Sequence, residues 1–217
     1  MYHITPSVLK SIYDQLYIIL FHQSLVDPKS AESLITSTHI SLISSLINDS
    51  SLDPIIKSVS LYVHDLANSY APSIRFFESD LLVKFCSLLQ KTPLDKPDRV
   101  ISILNTFQKF SERGMNSNHF LSTGELRNYI VESGIVFVMK EIANTFNSNR
   151  SIVLLLLRIM ISLLQSPEIA QFFCICDYLA VLQMFLMVFK SDSDIVEKTL
   201  TCMVAIARVN GLLVVLI

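Results

Sequence analysis

The stretch Ile152-Val-Leu-Leu-Leu-Leu-Arg-Ile-Met-Ile-Ser-Leu-Leu164 is followed 43 residues later by Ile195-Val-Glu-Lys-Thr-Leu-Thr-Cys-Met-Val-Ala-Ile-Ala207. Both stretches begin with Ile-Val, and both place apolar residues at the same later positions, among them Leu157 and Leu200, and Met160 and Met203. Apolar residues at this spacing predict an amphipathic helix. The two stretches therefore predict one helix that recurs along the chain.

The same pattern fits three earlier segments. The five predicted units begin near residues 8, 55, 99, 152 and 195, with spacings of 47, 44, 53 and 43 residues. A second apolar helix is predicted at 40–47, 81–89, 135–143 and 179–186, and a third, shorter segment lies between the two, for example at 73–77, 125–131 and 167–173. A long, a short and a long helix in each period of about 40–47 residues is typical of stacked helical repeats. The predicted fold class is all-α.

Two joints between the predicted helices resemble those of the armadillo (HEAT-like) repeat family. Val131-Glu-Ser-Gly134 is similar to the V-E-A-G turn of that family, and Phe189-Lys-Ser-Asp-Ser-Asp194 before Ile195-Val196 resembles its L-x-S-x-D-x-x-V joint. The resemblance covers nearly the whole chain. It implies a right-handed α-solenoid of about five armadillo-type repeats, the last incomplete, in a single domain over residues 1–217. A longer loop is expected at 111–124, as a surface insertion or as a binding loop.

The composition argues against nucleic acid and membrane partners. The net charge is −2 and 17% of residues are charged, so no basic excess exists for a phosphate backbone. The most apolar stretches, 152–164 and 172–189, are interrupted by Arg158, Asp177 and Gln183, whereas a spanning helix needs about 20 predominantly apolar residues. The four cysteines lie in apolar runs, which is typical of buried reduced thiols. We expect a cytoplasmic protein, with a nuclear or cytoskeletal location as the alternative.

The sequence carries no pattern for catalysis. The four glycines lie ten or more residues apart, without a phosphate-binding loop, and the five histidines form no zinc-binding spacing. No G-x-S-x-G elbow is present. The prediction is a protein that is not an enzyme, with no catalytic residues, no metal and no cofactor.

The resemblance also implies where a partner binds. Armadillo proteins of the importin-α type bind an extended peptide on the concave face through Trp and Asn side chains four residues apart. Carried onto this chain, those positions give a predicted partner-binding row without Trp and without Asn at the second position: Asp14, Leu61, Asp65, Asn105, Lys109, Arg158, Ser162 and Thr201.

The expected function is therefore a scaffold or adaptor that holds a segment of another protein along this concave face. Two alternatives stay open. One is a nucleocytoplasmic cargo adaptor, against which the missing Trp counts. The other is the regulatory helical-repeat part of a larger enzyme, chaperone or cytoskeletal regulator. Residues 211–217, Gly-Leu-Leu-Val-Val-Leu-Ile, end without a polar cap, and we expect either a continuing array or end-on docking there.

Overall fold

The computed structural model describes residues 81–90, 96–116 and 132–209, together with the single positions Ser11 and Gln15. The chain divides into two units, Met1–Thr92 and Pro93–Ile217. The helices of the described residues are α1 Leu81–Gln90, α2 Pro97–Asn116, α3 Ile135–Thr145, α4 Arg150–Leu163, α5 Pro167–Ile175, α6 Tyr178–Val188 and α7 Ser193–Val209. These described segments contain no strand. The all-α prediction is confirmed for this part of the chain.

Each described helix coincides with a predicted one. The predicted long helices that begin near 99, 152 and 195 are α2, α4 and α7, and the predicted second helices are α1, α3 and α6. The short segment at 167–173 is α5. One boundary was wrong: α2 continues from Ser111 to Asn116, so residues 111–116 of the predicted loop are helical. Its polar Ser111 is buried, at 1% exposure. The rest of that loop lies outside the described residues.

The backbone of the second unit repeats itself after 43 residues. Gly134 precedes α3 with φ 84°, and Asp177 precedes α6 with φ 56°, so both helices start from the left-handed region. At the other end, Phe146 closes α3 with φ −110° and ψ 32°, and Phe189 closes α6 with φ −112° and ψ 32°. The two helices therefore share the same entry and the same exit.

The next helix in each half also begins in the same way. The side chain of Asn149 accepts a hydrogen bond from the backbone N–H of Ile152, at 3.2 Å, and Asp192 accepts from Ile195 at 3.3 Å. Such side chains satisfy backbone donors that have no partner inside the helix. Asn149 and Asp192 are again 43 residues apart. The sequence repeat is thus a repeat of local structure over residues 134–153 and 177–196.

The helices of the second unit bury a common apolar core. Helix α4 packs against α2 and α3 on one side and against α7, while α7 packs against α4, α5 and α6. Large side chains that are 0–1% exposed fill the space between them, and these include Phe107, Phe173, Tyr178 and Phe185. Fully burying one such side chain contributes roughly 1.5–3 kcal/mol, so these contacts are the main source of stability in this unit.

Polar contacts join elements that lie about one period apart in sequence. The hydroxyl of Tyr178 donates to the carbonyl oxygen of Val136, and Lys140 Nζ donates to the carbonyl oxygen of Cys176 at 2.6 Å. The guanidinium of Arg150 donates to Asp192, with Nε and Oδ2 2.6 Å apart. Each contact connects a residue of α3 or α4 with a residue at or just before the start of α6 or α7.

None of the described helices is by itself long and apolar enough to cross a membrane. Helices α5 and α6 meet the length and composition requirement only when they are taken together, and they are bent by 80° at the break between them. Their inner sides are occupied by protein, since Ile169, Phe173, Val181 and Phe185 are buried.

Candidate functional site

A stripe of residues, all of them exposed except the half-buried Ala205, runs along one face of α7. Its members follow helical spacing, i, i+3, i+4, i+7, i+8 and i+11, which puts them on one side of a helix: Glu197, Leu200, Thr201, Val204, Ala205 and Arg208. We call this set the α7 stripe. Its centre is apolar and open to solvent, with Leu200 48% and Val204 41% exposed.

The α7 stripe forms one wall of a groove. The opposite wall is the end of α4 and the start of α5, where Leu164, Gln165 and Pro167 line the space. The groove encloses about 730 Å³. Its second wall is fixed by local structure: Pro167 occupies the first turn of α5, where no backbone N–H is needed, and the hydroxyl of Ser166 donates to Glu168 Oε2 at 2.6 Å.

The two ends of the α7 stripe carry opposite charges. Glu197 lies at its N-terminal end and Arg208 at its C-terminal end, about 16 Å apart along the axis at 1.5 Å per residue. Both residues are exposed. The ion pairs found among the described residues involve neither of them. The groove therefore offers an apolar centre between an acidic and a basic end.

The equivalent face of α4 is covered at Leu154 and Leu157 and half-buried at Ile161, whereas Arg158 and Gln165 are exposed. Leu157 lies 43 residues before Leu200 and is 0% exposed, and Leu154, which corresponds to Glu197, is 8% exposed. Helix α4 packs against α2 and α7, the helices at the equivalent place in the preceding and the following repeat, whereas no described helix follows α7. The central apolar residues of the α7 stripe, Leu200 and Val204, are thus not covered in this way by the described helices.

Comparisons of this chain with protein-family models, with curated proteins and with solved structures give no match. The groove is therefore interpreted from its own residues.

The described members of the predicted binding row lie on three helices that contact one another in order. Asn105 and Lys109 are on α2, Arg158 and Ser162 on α4, and Thr201 on α7; α2 contacts α4 and α4 contacts α7. Thr201 is exposed and lines the groove. Asn105 and Lys109 are half-buried, and Lys109 Nζ lies 3.4 Å from Glu112 Oε2.

Ser162 departs from the prediction because its side chain is 4% exposed. A partner has no access to a hydroxyl buried in this way. Arg158 behaves differently: it interrupts an apolar run, but its side chain is exposed, since a long arginine side chain can extend past apolar neighbours to solvent. Asp14, Leu61 and Asp65 lie outside the described residues, as do residues 211–217.

Sequence reasoning missed most of the groove. Glu197, Leu200, Val204 and Arg208 were not predicted as site residues, although their spacing is readable in the sequence. Transferring two positions per helix gave Thr201 and Ala205 on this face, and only Thr201 entered the predicted binding row. A full helical projection of 193–209 would have found the stripe, but not its exposure, because exposure depends on which neighbouring helices are present.

The described residues were also searched for metal and nucleophile chemistry. No group of three or more His, Cys, Asp or Glu side chains among them is arranged to hold a metal ion. Cys86 and Cys202 are buried, and Cys174 and Cys176 are partly exposed. Burial raises the pKa of Cys202 to about 12. Burial also raises the pKa of Cys176, and nearby Lys140 opposes this in part. Cys176 and Cys202 therefore lack the lowered pKa of an activated thiol.

Proposed function

We propose that this chain is an armadillo-type α-solenoid that acts as a protein-interaction scaffold, and that the α7 groove is its main binding surface. The repeated entry, exit and cap geometry at 43-residue spacing supports the solenoid. The order of contacts from α2 to α4 to α7 also supports it. In such an array, the exposed face of the long helices binds a segment of another protein.

One observation carries the proposal. Leu200 is 48% exposed at the position where the preceding repeat buries Leu157 completely. Exposed apolar residues next to charged ones are characteristic of protein-binding surfaces. A bound apolar segment would remove Leu200 and Val204 from water, and Glu197 and Arg208 would orient it.

The proposal is tested by comparing the proteins that co-purify with the wild type and with a groove variant. Val204→Glu places a charge in the apolar centre of the groove. Met187→Glu is the matched control, because Met187 is also exposed, at 72%, but lies on α6 outside the groove. Quantitative mass spectrometry should show proteins that bind the wild type and Met187→Glu equally and are depleted about tenfold or more with Val204→Glu. Identical sets for all three proteins would refute the groove as the binding surface.

A further inference from the structure

We infer that the α7 groove binds a second copy of this chain, with the two α7 helices antiparallel across a twofold axis near residues 202 and 203. This inference rests on the proposed role of the groove as a protein-binding surface and names its occupant. It follows from the order of residues along the α7 stripe. When two copies of the stripe run antiparallel, each residue faces one of complementary charge or size.

The charges are the first part of this complementarity. In an antiparallel pair centred between 202 and 203, Glu197 of each copy faces Arg208 of the other. A twofold interface contains every contact twice, so one stripe with one acid and one base supplies two opposite-charge pairs. Rim charges of this kind set the orientation and exclude the parallel arrangement, which would place Glu197 beside Glu197 and Arg208 beside Arg208.

The apolar centre is complementary in size. The same reversal places Leu200 opposite Ala205, so that the largest apolar side chain of the stripe meets the smallest, and it places Thr201 opposite Val204, which is similar in size. Such matching lets the side chains of two helices interdigitate. Ala205 is half-buried beside Val204 and leaves room for the incoming Leu200.

The arrangement also continues an interface that the fold already contains. Helix α7 stacks on α4 within one copy, and the second α7 would occupy the corresponding position on the other side. Leu200 would then be covered by a helix, as Leu157 is. Gln165 and Pro167, on the opposite wall, would flank the incoming helix. Because three helical turns form a small interface, we expect a dissociation constant in the micromolar range.

Sedimentation velocity of the full chain from about 1 to about 200 µM measures this association. The wild type should shift from monomer to dimer across this range. Val204→Glu should weaken the dimer about 100-fold or more, because it buries two uncompensated carboxylates next to the axis. Met187→Glu should dimerise like the wild type. Circular dichroism of each variant establishes that its helices are intact.

A charge exchange tests the antiparallel arrangement itself. Glu197→Arg alone and Arg208→Glu alone should each weaken the homodimer about tenfold, since each places like charges opposite one another twice. Mixing these two variants should restore association as a heterodimer, because every Arg then faces a Glu. The double variant Glu197→Arg/Arg208→Glu should dimerise like the wild type. If the mixture associated no more strongly than either single variant, the antiparallel arrangement would be wrong.

The outcomes separate this inference from the proposed function. A wild type that stays monomeric at every concentration, while Val204→Glu loses its co-purifying proteins, overturns the second copy as occupant and leaves the scaffold role standing. A wild type that dimerises as described, while the groove variant changes no captured protein, supports the inference and refutes the scaffold role at this groove.

Discussion

Asn149 and Asp192 cap two successive long helices in the same way, 43 residues apart. Each accepts a hydrogen bond from the backbone N–H three residues later, at 3.2 Å and 3.3 Å. Only Asp192 also receives a guanidinium: Arg150 Nε lies 2.6 Å from its Oδ2. Asn149 therefore acts only as a helix cap. Asp192 acts as a cap and also forms an ion pair that joins α4 to the start of α7.

The first prediction concerns acid stability. The hydrogen bond from Arg150 holds the pKa of Asp192 below its ordinary value of 3.8. A carboxyl group with a lowered pKa in the folded state stabilises the protein above its ordinary pKa, and this contribution is lost as the pH falls through the lowered value. Asp192→Asn keeps a capping oxygen, as Asn149 shows, but removes the charge.

The wild type should therefore be more stable than Asp192→Asn at neutral pH, and the difference should begin to fall near pH 3.8 and vanish only below the lowered pKa of Asp192. Urea unfolding from neutral pH down to about pH 2 measures the difference directly. Arg150→Gln should reduce the pH dependence in the same way. Equal stability of the wild type and Asp192→Asn at every pH would contradict the role of the ion pair.

The second prediction uses the two left-handed residues that precede α3 and α6. Gly134 has φ 84°, and a Cβ added there meets no atom within 4 Å. The cost of Gly134→Ala is therefore backbone strain alone, about 1–2 kcal/mol in the free energy of unfolding.

Asp177 provides the matched test, since it holds φ 56° at the equivalent position. Asp177→Gly should stabilise the fold by a few tenths of a kcal/mol, or leave its stability unchanged, because Asp tolerates this conformation better than most residues. Denaturant unfolding of both variants checks the pair. If Asp177→Gly destabilised the protein as much as Gly134→Ala does, α3 and α6 would not both begin from a left-handed residue.

The third prediction concerns two buried threonines. Thr199 is 0% exposed, and its hydroxyl has no hydrogen-bond partner among the described residues. Leaving such a group buried without a partner costs about 1–3 kcal/mol. Thr199→Val keeps the shape and removes the hydroxyl, so it should stabilise the protein by about 1 kcal/mol. Leu156, at the equivalent position of α4, is likewise apolar and 1% exposed.

Thr106 is the control for this change. It is equally buried, but its hydroxyl donates to the carbonyl oxygen of Ser102 at 3.3 Å. Thr106→Val should therefore destabilise the protein by about 0.5–1.5 kcal/mol. Thermal unfolding by calorimetry compares the two variants. A fall in melting temperature for Thr199→Val would show that its hydroxyl is satisfied in solution.

The helices were predictable because their signals are local. Proline at 167 marks the start of α5, and apolar spacing within 152–164 and 195–207 marks α4 and α7. The end of α2 was not predictable in this way, because the polar run from Ser111 to Asn116 gives no apolar pattern, and the burial of Ser111 comes from tertiary packing.

The candidate site depended on information that is not local. Leu157 and Leu200 lie at equivalent positions of successive helices, 43 residues apart, yet Leu157 is 0% exposed and Leu200 is 48% exposed. The reason is that α4 packs against both α2 and α7, whereas no described helix follows α7. Sequence spacing identifies the face of a helix, but the number of neighbours decides whether that face is available to a partner.

The fourth prediction tests the packing of α7 on α4 through its thiol. Cys202 is 0% exposed, and its Sγ lies 4.0 Å from the carbonyl oxygen of Leu157. Burial raises its pKa from 9.0 to about 12, so the reactive thiolate is scarce at neutral pH. In the native protein, iodoacetamide should label the partly exposed Cys174 and Cys176 and leave Cys202 unmodified, as read by mass spectrometry of peptides.

Unfolding in urea should make Cys202 react as rapidly as the other thiols, which is the control for its intrinsic reactivity. Leu157→Ala should increase native labelling of Cys202, because removing a fully buried side chain next to it costs about 2–5 kcal/mol and makes local opening more frequent. Native labelling of Cys202 at the rate of Cys176 would mean that α7 does not cover this part of α4, and the face assigned to the groove would then be a different one.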